Sequence, residues 1–388
     1  MRNHLRAEAR LIISHLSDIG PRLAGSPQEA TVAAFVNARL RHTGMGVSTN
    51  PLRLTPRHQR MYALVAAAGL VAALTALVLP LPALILAVLA TILLLVDQIT
   101  GPLVHMGQQI LSQTIVGNRA IRANGTALGP PPPRWRVVLL APLDSTMRPA
   151  PRWDLPARIA TLFLVLLSTL LELLLPARGW ILLSIPASLL LGFQILILLR
   201  PPLPAPSDAA TGALAALLLS AQRLGDMQHV EVWAIALGAS SLDPAGMEEV
   251  LRLYPFDPQQ TLLINLTDLA SGTLHYVRSS PHPLLACAEQ TLTHHAQLAP
   301  ALQSELGRYL NTQPIPCLSL FSSNRDRLDL DLSLQVAEVV VGMIEQIEQH
   351  ETRPTTTQPA GGGTAPPPPD GPRRSVPPRP DRQSSGPV

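Results

Sequence analysis

The sequence contains no lysine: all 29 of its basic residues are arginine. An arginine side chain keeps its proton, so a Schiff-base lysine or a catalytic amine is excluded. Charge of either sign is scarce. Charged residues make up 14% of the 388 positions, against about 25% in globular proteins. The net charge of only +3 gives no basic excess for a nucleic acid, and none is expected as a partner. Cysteine is limited to Cys287 and Cys317, in neither a C-x-x-C pair nor a metal-site spacing. They are expected as free buried thiols in a reducing compartment, with one disulfide as the alternative. The first twenty residues lack an apolar core followed by a small-residue cleavage site. No secretory signal is expected, so membrane insertion has to come from within the chain.

What the chain has in quantity is apolar residues, 47% of the total, gathered into runs at 61–79, 83–99, 159–175 and 180–199. A helix needs about 20 residues to cross the hydrocarbon core. The runs are separated pairwise by Pro80-Leu81-Pro82 and Pro176-Ala177-Arg178-Gly179. They read as two transmembrane hairpins, 61–99 and 157–200, with the lipid bilayer as a partner; a buried hairpin of a soluble protein is the alternative. The intramembrane polar residues are Glu172 and Gln194. Glu172 is expected to snorkel to the interface or to pair with Arg178. With so few polar groups in the runs, a channel or transporter is disfavoured. Arg53, Arg57, Arg60, Arg148, Arg152, Arg158 and Arg200 flank the runs on one side, and only Arg178 lies on the other. The positive-inside rule places the soluble pieces and both termini in the cytoplasm of a multi-pass cell-membrane protein. The sequons at Asn124 and Asn265 should then carry no glycan.

Three soluble pieces remain, 1–60, 100–156 and 201–351, none large enough alone but together enough for one core. Helical spacing marks 5–16 and 30–40. Residues 136–141 (RVVLLA) read as a buried strand. Then come a helix at 209–224 capped by Ser207 or Asp208, strands at 230–237 and 261–266, a helix at 284–296, a strand at 316–321 and a closing helix at 333–349. This alternation predicts an α/β fold, a mostly parallel mixed sheet covered by helices. The Pro-, Gly- and Thr-rich segment 352–388 reads as a disordered tail.

The order of these pieces resembles metallopeptidase family 28, the di-zinc aminopeptidase Y and glutamate carboxypeptidase group. The likeness rests on the opening Ile19-Gly20-Pro21-Arg22-Leu23-Ala24-Gly25-Ser26, on Gly44-Met45-Gly46-Val47, on Ser112-Gln113-Thr114-Ile115-Val116-Gly117, and on the Ile315-Pro316 strand with its last helix. The resemblance implies a zinc-aminopeptidase-like fold and a two-metal site. Residue by residue, that site is degenerate. The family's Ala-His-x-Asp-Ser reads Ala141-Pro142-Leu143-Asp144-Ser145, with Pro142 at the zinc-binding His. The family's Asp-Asn-x-Ser-Gly reads Asp208-Ala209-Ala210-Thr211-Gly212, keeping the bridging acid. The Glu-Glu pair, general base and ligand, falls on Ser240 and Ser241. The ligand of Asn-x-Asp falls on Thr267, with Asp268 one residue late, and the final His is missing from the stretch after the Ile-Pro strand.

A catalytic zinc needs about three protein ligands and an open position for water, and a two-metal site needs more ligands and a base. One carboxylate in place does not supply them. The expectation is a membrane protein with a peptidase-like domain that has lost zinc and catalysis, holding no cofactor. It would bind a peptide, small ligand or protein partner in the former substrate cleft. The alternative is an active membrane zinc aminopeptidase with a rearranged site, zinc as its cofactor, and Asp208, Asp268 and a histidine gathered together. His275, His282, His294 and His295 lie in the third piece. His294 and His295, adjacent on an expected helix, diverge. Asp208 also has a purely structural role open to it as a helix cap.

Overall fold

The computed structural model describes residues 2–54, 59–76, 78–100, 109–121, 133–145, 154–174, 181–199, 208–241, 244–279, 281–300, 304–325 and 327–352. The expected tail beyond Thr352 lies outside the described residues, as do Arg57, Arg148, Arg152, Arg178, Arg200, Ser207 and Asn124. Helices α1 (Arg2–Ile19) and α2 (Pro27–His42) lead into β1 (Gly46–Leu54). The apolar α3 (Gln59–Thr75) and α4 (Pro80–Thr100) follow, then β2 (Ile110–Arg119) and β3 (Trp135–Pro142). A second apolar pair, α5 (Asp154–Leu174) and α6 (Ile181–Leu199), precedes α7 (Asp208–Arg223) and β4 (Val230–Leu237). The remainder is α8 (Ala245–Leu253), β5 (Thr261–Leu266), β6 (Ser271–Arg278), α9 (Pro283–Leu292), β7 (Gln297–Leu298), α10 (Glu305–Thr312), β8 (Cys317–Asn324) and α11 (Leu330–Thr352).

All of these strands join one 8-stranded sheet in the order β1-β2-β4-β3-β5-β8-β6-β7. The centre is parallel: β3 pairs with β4 and β5, and β5 with β8. The flanks bring in antiparallel pairs, β1–β2, β2–β4 and β6–β8. Strands from all three soluble pieces take part, which makes the sheet mixed α/β as the alternation implies. Successive residues of β3 serve opposite faces. Val137, Leu139 and Ala141 pack with α1, α2, α7 and α11, while Val138 and Leu140 pack with α8 and α10. A strand covered on both faces has to be apolar throughout, and the RVVLLA run is.

The helix expected at 284–296 stops at Leu292. The Thr293 amide closes the last turn on the Glu289 carbonyl, and His294 and His295 stand exposed beyond it. Their separation therefore owes nothing to a helix. Cys287 and Cys317 are free and buried. Asn265 is fully buried in β5, its amide donating to Ser319 Oγ at 3.2 Å, so the folded chain cannot present that sequon.

The four apolar helices pack together. One buried cluster draws Val65, Ala66, Ala72 and Ala73 from α3, Ala87, Ala90 and Leu94 from α4, Leu162 and Val165 from α5, and Ala187 and Leu191 from α6. Small residues at this seam let the backbones approach closely. Gly69 shows the limit: a Cβ there would lie 2.6 Å from Leu162 Cδ2. The large side chains Leu64, Ile85, Leu89, Phe163, Leu189 and Phe193 point outward and are exposed. Gln194 Nε2 donates to Thr161 Oγ1 at 3.1 Å, joining α6 to α5. Arg158 lies over the Tyr62 ring, 5.0 Å from its centroid. Glu172 is half-buried in α5, and its expected partner Arg178 falls outside the described residues. Among the described residues, only Pro156–Leu174 is long and apolar enough to cross a bilayer; Tyr62–Thr75, Pro80–Val96 and Ser184–Leu199 are apolar but shorter. Four spans are thus matched in length by one helix. Gln59 and Arg60 shorten the apolar part of α3, and Asp97 and Gln98 that of α4.

Candidate functional site

The sheet's strand order reverses at β3, with β4 on one side and β5 on the other. In open α/β sheets ligands bind beyond the carboxyl ends of the strands at such a point. Here that edge carries Pro142 and the following Leu143-Asp144-Ser145 after β3, Gly238–Ser241 after β4, Thr267–Ala270 after β5, and the start of α7 at Asp208. Every position inferred from the degenerate motifs therefore falls on one edge.

Its centre is Asp144, which is fully buried. One carboxylate oxygen accepts from the Ser240 amide at 3.0 Å and its hydroxyl at 2.7 Å. The other accepts from the Ser241 amide at 3.0 Å and from its hydroxyl. These four contacts engage both carboxylate oxygens. The turn that delivers both serines is held from behind. Ala239 adopts φ 53, in the left-handed region. Gly238 lies so close to β2 that a Cβ would meet Gln113 O at 2.3 Å.

Two buried charged residues that the motifs did not single out complete the centre. Glu29 accepts from Ser112 Oγ at 2.6 Å, from the Gly25 amide, and from the Ala239 amide at 3.4 Å. The Glu29 amide in turn donates to Ser26 Oγ at 3.2 Å, so Ser26 caps α2 and the Ser26-x-x-Glu29 spacing of a capping box was present in the sequence. Arg22 is fully buried. Its backbone amide donates to Ser145 Oγ at 3.0 Å, its carbonyl accepts from the Ser145 amide at 2.7 Å, and its guanidinium donates to Thr211 Oγ1 at 3.3 Å. Burial lowers the Arg22 pKa to about 10, opposed by the Asp144 charge, so the guanidinium remains a cation near neutral pH.

The remaining positions are engaged elsewhere. Asp268 has φ 50 and pairs with Arg325 Nη2 at 2.7 Å. It lies past the end of β5, so the alternation of faces along a strand does not set its direction. Thr267 is buried, its amide donating to Leu320 O at 3.0 Å. Asp208 stands in the first turn of α7, where an acid favours the helix dipole. The start of α7 is pinned by the Leu269 amide donating to Ala209 O at 3.2 Å. Among the histidines, His282 caps α9 by accepting from the Leu284 amide, and His275 stacks near Phe321.

This donor set does not fit a two-zinc centre. Pro142 offers no donor, both oxygens of Asp144 are engaged by Ser240 and Ser241, and Asp268 is paired with a cation. Among the described residues no three of His, Cys, Asp and Glu come together.

Burial raises the pKa of Asp144, and burial likewise raises that of Glu29. A raised pKa means the folded chain holds the proton that the unfolded chain releases. Stability from these groups is then complete below the unfolded carboxylate range, near pH 4, and falls as pH rises through the folded values. The thermal midpoint in mild detergent should decline from about pH 4.5 toward neutrality, and the Glu29→Gln variant should decline less.

No protein-family model matches the chain, and no curated protein matches it in sequence. Solved structures do. BSAP, a zinc aminopeptidase from Bacillus subtilis, aligns over 88% of this chain and 95% of its own with a TM-score of 0.50 at 10% identity. An aminopeptidase from Aneurinibacillus sp. strain AM-1 gives a TM-score of 0.48 at 11% identity, over 88% of this chain and 93% of its own. Porphyromonas gingivalis glutaminyl cyclase gives 0.48 at 11% identity, over 88% and 98%. With its mixed sheet and the BSAP alignment, the chain has a zinc-aminopeptidase-like fold.

Proposed function

We propose that this chain is a multi-pass membrane protein whose peptidase-like domain holds no zinc, performs no hydrolysis, and acts by binding a peptide or protein partner at the cytoplasmic membrane face. The observation that carries the reading is Asp144, closed on both oxygens by Ser240 and Ser241. Where the resemblance implies a general base and a ligand, the chain supplies two hydroxyls that donate hydrogen bonds. Without an activated water or a base to take its proton, hydrolysis by the family mechanism has no starting point.

The membrane part of the reading is supported by the alanine-rich seam of the four helices and the large apolar side chains exposed on their outer faces, the pattern expected where lipid rather than water is the solvent. The two hairpins would cross and return as one bundle. The arginine bias of the flanking sequence favours the cytoplasmic side for the domain.

The test is turnover. In mild detergent with zinc supplied, aminoacyl nitroanilides should be hydrolysed no faster by the native chain than by its Asp208→Ala variant. Faster hydrolysis, abolished by a chelator, would instead establish an active enzyme with a rearranged centre.

A further inference from the structure

The chain leaves the domain for the apolar bundle twice and returns twice, and all four crossings lie on the same edge of the sheet. β1 is antiparallel to β2 and β2 to β4, so Leu54, where the chain departs, and Ile110, where it comes back, stand beyond the carboxyl end of β4. The second departure follows Ser145, past the carboxyl end of β3, and the second return is Asp208 at the start of α7. That is the edge that carries the candidate site. We propose that this edge is held against the lipid headgroup layer, so that the candidate site faces the membrane surface rather than bulk solvent. The proposal rests on the membrane reading of the bundle.

The reach of the chain supports it. Only residues 55–58 separate β1 from α3, and five Cα steps extend to at most about 18 Å. The headgroup region itself occupies about 5–8 Å on each side of the hydrocarbon core. A single tether would let the domain swivel. Two pairs of tethers, one at β1–β2 and one at β3–α7, are separated by up to three strand spacings, about 14 Å, and constrain that rotation. The opposite edge, where Gln260 precedes β5, is about 20 Å farther away along a six-residue strand.

The experiment uses the full chain in anionic vesicles, with single cysteines carrying a fluorophore. Leu111→Cys and Ser323→Cys report the carboxyl edge, Gln260→Cys the amino edge, and Leu189→Cys the outer face of α6; all four native residues are exposed. The native thiols interfere little, since both are buried and burial raises the pKa of Cys287 and pushes that of Cys317 up to about 12. Nickel-chelating headgroup lipids quench from the membrane surface and acyl-chain nitroxides from within it. The expected result is quenching by nickel lipids at least about twofold stronger at 111 and 323 than at 260, with 189 quenched by the nitroxides. Quenching at 260 equal to or stronger than at 111 and 323, while 189 is still quenched by nitroxides, overturns the orientation alone. No nitroxide quenching at 189 overturns the membrane reading and the orientation with it.

Discussion

Gly212→Ala is expected to destabilise the domain by about 3 kcal/mol or more, at the upper end of what overpacking costs. The sign is the notable part, because Gly to Ala inside a helix ordinarily gains about 1 kcal/mol. At position 212 the added Cβ would lie 1.8 Å from Leu269 O and 3.1 Å from Leu328 Cδ1. Leu269 cannot withdraw freely. It is fully buried, and its amide holds the start of α7 through Ala209 O. The clash is backbone against Cβ, so rotamer changes do not relieve it. Thermal unfolding in mild detergent measures the loss, and Gly225→Ala, where a Cβ meets nothing within 4 Å, is the control expected near the native midpoint. A Gly212→Ala variant as stable as the native chain would show that α7 does not dock on the β5–β6 turn as described.

The second large effect is expected at Asp144. Replacing it by alanine leaves two backbone amides and two hydroxyls without their acceptor. An orphaned buried donor costs about 1–3 kcal/mol. Since the hydroxyls can turn to other acceptors while the two amides cannot, a net loss of about 3–4 kcal/mol is expected. Asp144→Asn should lose less, because the amide oxygen still accepts from one serine. The same unfolding measurement reads both variants. If Asp144→Ala proved neutral while zinc content fell, the carboxylate would be a ligand rather than the centre of a closed network.

How much of this could be seen in the sequence varies with burial. β4 and β5 stand at the expected limits, 230–237 and 261–266, because strands covered on both faces are written as continuous apolar runs. β6 escaped notice. Its Leu274 and Tyr276 face inward while Thr273 and His275 do not, and such a short alternation is easily taken for loop beside Gly272. β1 is at the sheet's rim and carries Ser48, Thr49, Asn50 and Pro51, a composition that reads as turn. The short helices α8 and α10 lack the length for a clear period. The four apolar runs were plain, but their joint packing was not, since the buried alanines and the outward leucines look alike in a composition count.

Motif order brought Pro142, Asp144, Asp208, Ser240, Ser241, Thr267 and Asp268 to one edge, but sequence alone did not show that Ser240 and Ser241 turn their donors onto Asp144. Glu29 and Arg22 are the larger omissions. The capping spacing Ser26-x-x-Glu29 announced the helix start, yet nothing in it indicated that Glu29 would also reach the Ala239 amide, which is 210 positions away.

The most direct test of the central claim is the zinc content of the full chain, purified in mild detergent without chelator and read by elemental analysis. The account predicts less than about a tenth of a zinc per chain, because a genuine structural or catalytic site stays largely filled through purification. One or two zincs per chain would contradict it, and would require a ligand set other than the closed Asp144 network described here.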